Sequence, residues 1–230
     1  MTRKLAVEAI GTFFLVFTIG MCVLEPGTGV LAPLAIGAVL VAMVYAGGHV
    51  SGAHYNPAVT LAVFIRGACT IHEAIGYWVF QLVSGSIAAM AVLWIKGGGP
   101  LTVMTLDMPK VIAVEFIITF ALAFVVLNVA TAKGVAGNSY FGAAIGLTVM
   151  AGAYAVGPIS GGAFNPAVSV ATLVFGVIAA VDIWVYLLPQ LLAGALAGLL
   201  FNALDLGDDK ATTATPAEQA SLRPQAEPAP

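Results

Sequence analysis

One segment of this chain is written twice. Ser51-Gly-Ala-His-Tyr-Asn-Pro-Ala-Val59 is matched by Ser160-Gly-Gly-Ala-Phe-Asn-Pro-Ala-Val168, at an offset of 160 − 51 = 109. Ala35-Ile-Gly37 recurs as Ala144-Ile-Gly146, and Gln81 and Gly85 recur as Gln190 and Gly194, again at 109. Val7-Glu8 with Thr12-Phe13 recurs as Val114-Glu115 with Thr119-Phe120 at 107. A chain that repeats at a nearly constant offset folds as copies of one unit that complete each other.

Each copy holds the same series of apolar segments. A membrane span needs about 20 apolar residues. Leu5–Leu24, Leu31–Gly48, Ala74–Ile95, Val111–Thr131, Phe141–Val156 and Ile183–Leu204 meet or approach that length. Pro57–Ile65 and Pro166–Ile178 do not, and each opens with Asn-Pro-Ala. Half-length helices must be buried in protein or line a water-filled cavity, because lipid cannot satisfy a broken backbone. Composition agrees with a membrane setting. The chain is 60% hydrophobic and 8% charged, against about 25% charged in a soluble domain. Three full spans per copy is an odd number, so the second copy enters from the opposite side as an inverted repeat. The expected fold is an all-α membrane protein, with six transmembrane helices and two re-entrant half-helices. The channel domain is expected over residues 1–204, with repeat one at about 1–100 and repeat two at about 105–204.

The charges are unevenly placed. From Asp205 onward, Asp205, Asp208, Asp209, Glu218 and Glu227 face Lys210 and Arg223, which accounts for the whole net charge of −3. Residues 205–230 are poor in large apolar side chains and are expected to be a disordered cytoplasmic tail. With the amino terminus inside, Arg3, Lys4, Arg66, Lys133, Lys210 and Arg223 are cytoplasmic, and Lys96 and Lys110 are outside. That asymmetry puts both termini in the cytoplasm of a cell membrane protein. The first apolar run carries Glu8 and lacks a small-x-small cleavage site, so it reads as a span and not as a signal peptide. No basic patch points to nucleic acid. Cys22 and Cys69 lack any CxxC or Cys/His setting and read as packing residues; no metal or cofactor is expected.

Asn-Pro-Ala starts a helix, since Asn is a preferred N-cap and Pro is tolerated at the first helical position. The Asn side-chain oxygen accepts a backbone N–H and leaves its amide as a donor. Asn56-Pro57-Ala58 and Asn165-Pro166-Ala167 would then present two amides and two positive helix ends to one point. A water oxygen is favoured there, while cations and protons meet a barrier. Glu8 and Glu115 lie inside spans at matching positions, where a carboxylate needs partners. His54 falls in the first loop, and His72 at the start of a span.

These segments, with Gly48-His49-Val50-Ser51-Gly52 ahead of the first motif, resemble the major intrinsic proteins, the aquaporins and glycerol facilitators. The likeness covers roughly Arg3 to Leu204. It implies one pore per subunit, a homotetramer, and carbonyls of residues 52–55 and 161–164 as acceptors along the pore. It also implies that Glu8, Glu115 and His49 brace the re-entrant loops. The family's narrow filter maps by counting from the motifs to Ile36, Ala153, Gly162 and Val168. The family's usual filter holds an aromatic, often a His, a small residue and an Arg. Here Val168 stands at the Arg position, and the predicted filter is wide and apolar. It would admit water and neutral solutes such as glycerol, urea, hydrogen peroxide or ammonia, although Ser169 follows the water-channel pattern where glycerol facilitators commonly have Asp. A secondary transporter would share the inverted repeat, but it usually needs more intramembrane charge. An enzyme lacks any Ser/His, HExxH or paired-Asp constellation in the spans.

Overall fold

The computed structural model describes residues 1–98 and 103–207. They form α1 (Thr2–Val23), α2 (Ala32–Ser51), α3 (Pro57–Arg66), α4 (Ile71–Ile95), α5 (Met108–Thr131), α6 (Phe141–Ser160), α7 (Pro166–Phe175) and α8 (Trp184–Ala203), with short 3-10 turns between some of them. Six of these helices are long and apolar enough to cross a membrane. The ten-residue α3 and α7 extend only about 15 Å at 1.5 Å per residue, half of a hydrocarbon core. The chain is therefore a multi-pass membrane protein with six spans and two half-helices. Of the tail expected over residues 205–230, only 205–207 lie within the described residues.

Helix ends follow from local chemistry. Both α2 and α6 run 20 residues and stop where Gly52 (φ 87°) and Gly161 (φ 83°) turn left-handed. Gly67 and Gly176 end the half-helices in the same way. The second half-helix, expected to reach Ile178, stops at Phe175 for this reason. The left-handed turn at Gly176 folds Val177 back, and its N–H donates to Thr172 O.

The two copies pack alike. In one, α1 lies against α2 and α4; in the other, α5 lies against α6 and α8. The helices α2 and α6 cross each other between the copies, and the half-helices are exchanged, with α3 packed on α8 and α7 on α4. The α2–α6 crossing is close because Gly37 and Gly146 meet there; a Cβ on Gly146 would sit 2.7 Å from Gly37 O. An even number of spans leaves both ends of the helical body on one face, here the termini face. On that face Lys4 pairs with Glu73 at 2.6 Å, joining α1 to α4. Arg66 donates to Thr131 and lies over the Phe201 ring, joining the end of α3 to α5 and α8. On the opposite face Lys96 Nζ donates to the carbonyls of Met21, Leu24 and Pro26 and ties α4 to the end of α1.

Candidate channel site

Each half-helix begins at its asparagine. Asn56 is extended (φ −156°), and its Oδ1 accepts from Ala58 N at 2.8 Å and Val59 N at 3.4 Å. Asn165 repeats the geometry (φ −157°), accepting from Ala167 N at 2.9 Å. Pro57 and Pro166 occupy the first helical turn, where no N–H is missed. The side-chain amides then cross between copies. Asn56 Nδ2 donates to Phe164 O at 2.9 Å, and Asn165 Nδ2 donates to Tyr55 O at 2.8 Å. An amide nitrogen carries two hydrogens, so each asparagine keeps one N–H after this exchange. The two motifs, 109 residues apart in sequence, are locked at one point with both helix N-termini converging on it.

The loops ahead of the asparagines are held from behind by a buried carboxylate. Glu8 Oε1 accepts from Ser51 Oγ at 2.6 Å and His54 N at 3.0 Å. Its Oε2 accepts from Tyr55 N at 2.7 Å and Gln81 Nε2 at 2.8 Å. Glu115 reproduces this contact for contact with Ser160 Oγ, Ala163 N, Phe164 N and Gln190 Nε2. Ser51 Oγ and Ser160 Oγ in turn accept from Ala53 N and Gly162 N. The tyrosine hydroxyls of Tyr77 and Tyr186 donate to Ser51 O and Ser160 O, both at 2.7 Å.

This leaves the loop carbonyls free. The N–H groups of residues 53–55 and 162–164 are all engaged by the brace. Left-handed backbone at Ala53 (φ 52°), Tyr55 (φ 49°), Gly162 (φ 70°) and Phe164 (φ 48°) turns successive peptides without breaking that hold. Among the described residues no protein donor reaches the carbonyls of Gly52, Ala53 and His54, or of Gly161, Gly162 and Ala163. Ala53 and His54 are buried and Gly162 and Ala163 half-buried, where carbonyls are ordinarily paired, so each loop offers a row of unused acceptors leading to the asparagines.

The structure sets His54, and not His49, beside Glu8. His49 is exposed on α2 and, among the described residues, makes no hydrogen bond to the loop, so it does not join Glu8 in the brace. A helix that is apolar on nearly every side gives no periodic signal of which face turns inward. His54 is the buried one. Its backbone N–H meets Glu8, its Nδ1 lies 3.1 Å from Thr60 Oγ1, and its ring stands edge-on to Tyr77.

Of the four filter positions, Ile36 and Val168 are buried, while Ala153 and Gly162 are half-buried and adjacent. A Cβ on Gly162 would lie 3.5 Å from Ala153 Cα. Sequence reasoning did not find the Ser51/Ser160 and Tyr77/Tyr186 parts of the brace. Their signal was present, since both pairs recur at the offset of 109.

Six spans enclosing two half-helices that meet tip to tip define a membrane channel of the re-entrant-helix class. The family model described as Major intrinsic protein matches residues 1–201, and the chain belongs to that family. It is 38% identical over 206 residues to Aquaporin NIP1-4 of Oryza sativa subsp. japonica, covering 85% of this chain and 74% of the relative. It is 37% identical over 176 residues to Aquaporin TIP2-1 of Arabidopsis thaliana, covering 71% of this chain and 67% of the relative. Among solved structures, the aquaglyceroporin from Plasmodium falciparum superposes with a TM-score of 0.74 at 19% identity, over 90% of this chain and 98% of that one.

Proposed function

We propose that this protein is a passive channel for water and small neutral solutes, working in a cell membrane as a homotetramer with both termini in the cytoplasm. The observation that carries the reading is the convergence of two helix N-termini and two asparagine amides between two rows of unpaired carbonyls. A permeant molecule with both donors and acceptors, such as water, can exchange its hydrogens along the carbonyls and turn its oxygen to Asn56 and Asn165 at the centre. A cation finds no acceptor there and faces two positive helix ends, which is a barrier.

Ile36, Ala153, Gly162 and Val168 are assigned as the outer filter, and Glu8 and Glu115 as braces that hold the loop carbonyls toward the pore. None of the four filter side chains carries a polar group. Polar selection therefore falls to the backbone and the asparagine pair, and neutral solutes larger than water pass. The orientation rests on Arg3, Lys4, Arg66 and Lys133 lying toward the termini face, against Lys96 and Lys110 opposite. Stopped-flow light scattering of proteoliposomes, with sucrose, glycerol and urea gradients in turn, tests the reading. Water flux above that of empty liposomes, together with entry of urea or glycerol, is expected. Water flux equal to that of empty liposomes would overturn it.

A further inference from the structure

The inverted repeat places a second ring of side chains opposite the outer filter. The offset of 109 that relates α2 to α6 and α3 to α7 carries Ile36 to Ile145, Ala153 to Val44, Gly162 to Ala53 and Val168 to Val59. The register is secure, because α2 and α6 have equal length, and each ends at a serine and a left-handed glycine. The reciprocal asparagine bonds and the matching carboxylate braces show that the two copies are related across the centre of the channel. The mirror quartet Val44, Ala53, Val59 and Ile145 therefore surrounds the path on the termini face, at the depth of the filter on the other.

The two rings are not equally wide. Val44 stands where the outer ring has Ala153, and Ala53 where it has Gly162, so the ring on the termini face carries three more side-chain carbons. Burial separates the rings at the two positions where they differ, Val44 and Ala53 against Ala153 and Gly162, while Ile36 (8% exposed) and Val168 (3%) are buried like their mates. Val44 and Val59 are 1% and 2% exposed, and Ala53 and Ile145 are 5% exposed each. In the outer ring Ala153 and Gly162 are half-open. The neighbouring loop position sharpens the contrast, with the buried His54 ring on the termini side and Ala163, half-buried, opposite. A Cβ on Gly162 would lie 3.5 Å from Ala153 Cα and 3.3 Å from the Phe164 ring; at the mirror positions Ala53 carries that methyl and Val44 an isopropyl group.

From this asymmetry we infer that size selection among neutral solutes is made on the termini face, by Val44, Ala53, Val59 and Ile145, and not at the outer filter. The inference rests on the channel reading above. Permeant molecules enter a wide outer vestibule, pass the asparagine pair, and afterwards meet their tightest passage, where the four ring side chains are all apolar.

The test compares variants that remove equal bulk from the two rings. Val44→Ala and Val168→Ala each delete two carbons, and the urea-to-water permeability ratio in proteoliposomes is independent of how much protein inserts. The ratio is expected to rise at least about threefold more in Val44→Ala than in Val168→Ala. Ala53→Gly guards against misfolding, since glycine accepts the left-handed φ of 52° at that position more readily than alanine, and it is expected to raise the ratio above native. An equal or larger rise in Val168→Ala, or an unchanged ratio in Ala53→Gly, overturns the inference. A native protein that passes neither water nor urea overturns the channel reading itself.

Discussion

Glu8 and Glu115 each hold two consecutive loop amides, a serine hydroxyl and a glutamine amide, and all of these bonds are buried except the half-buried one from Ala163 N. Deleting the carboxylate strands them, at about 1–3 kcal/mol for each buried group left unpaired. Glu8→Ala or Glu115→Ala is therefore expected to lose on the order of 3 kcal/mol or more. For a chain of this size that lowers the melting midpoint by roughly 6–12 °C, read by fluorescence-detected size exclusion of heated detergent samples. Glutamine at either site would do better than alanine and worse than glutamate. It keeps one acceptor but turns an NH2 toward a donor. A variant that melts like the native protein yet leaks protons would instead make the glutamates part of a proton path.

At the scale of elements, two related glycines predict different outcomes. Gly194 lets α8 lie on α3, and a Cβ there would come within 2.3 Å of the backbone oxygen of Ala58. Backbone cannot yield as a side chain tip can, so Gly194→Ala must push α3 away from its seat and move Asn56. The repeat mate Gly85 has its nearest atom, Ala167 O, at 3.4 Å, an ordinary contact. Water permeability per inserted protein is expected to fall about tenfold or more in Gly194→Ala and to stay within about twofold of native in Gly85→Ala. Similar losses in both would mean that the half-helices are seated more symmetrically than the distances indicate. The starts of these half-helices were legible in the sequence, because Asn-Pro fixes a cap and a first turn together. Their ends were less so. Val177 and Ile178 are as apolar as the helix they follow, and only the left-handed turn at Gly176 separates them from it. The braces were half legible: two matched glutamates in apolar runs require partners, but their partners lie 43–49 residues away in the loop and 73–75 away in the next span. The choice between His49 and His54 was not legible, since it depends on which face of α2 packs inward.

For the molecule as a whole, function depends on how the two copies differ as much as on how they agree. The four positions proposed as the outer filter carry no charge, so adding one there is expected to sharpen selection. Val168→Arg is expected to lower urea or glycerol flux more than water flux, measured in the same proteoliposome preparation. If the variant leaves solute exclusion unchanged, another segment forms the outer filter. The central lock also ties the site to the order of synthesis. Asn56 bonds to a carbonyl 108 residues later, and Asn165 to one 110 residues earlier. At about 5–20 residues per second, the first half waits on the order of 5–20 s, in or near the membrane, with its asparagine amide lacking that acceptor. For that interval α3 has no α8 to lie against and no business in lipid. A nascent chain stalled before residue 164 should keep its first half-helix open to water-borne labelling reagents, and release of the remaining sequence should close it.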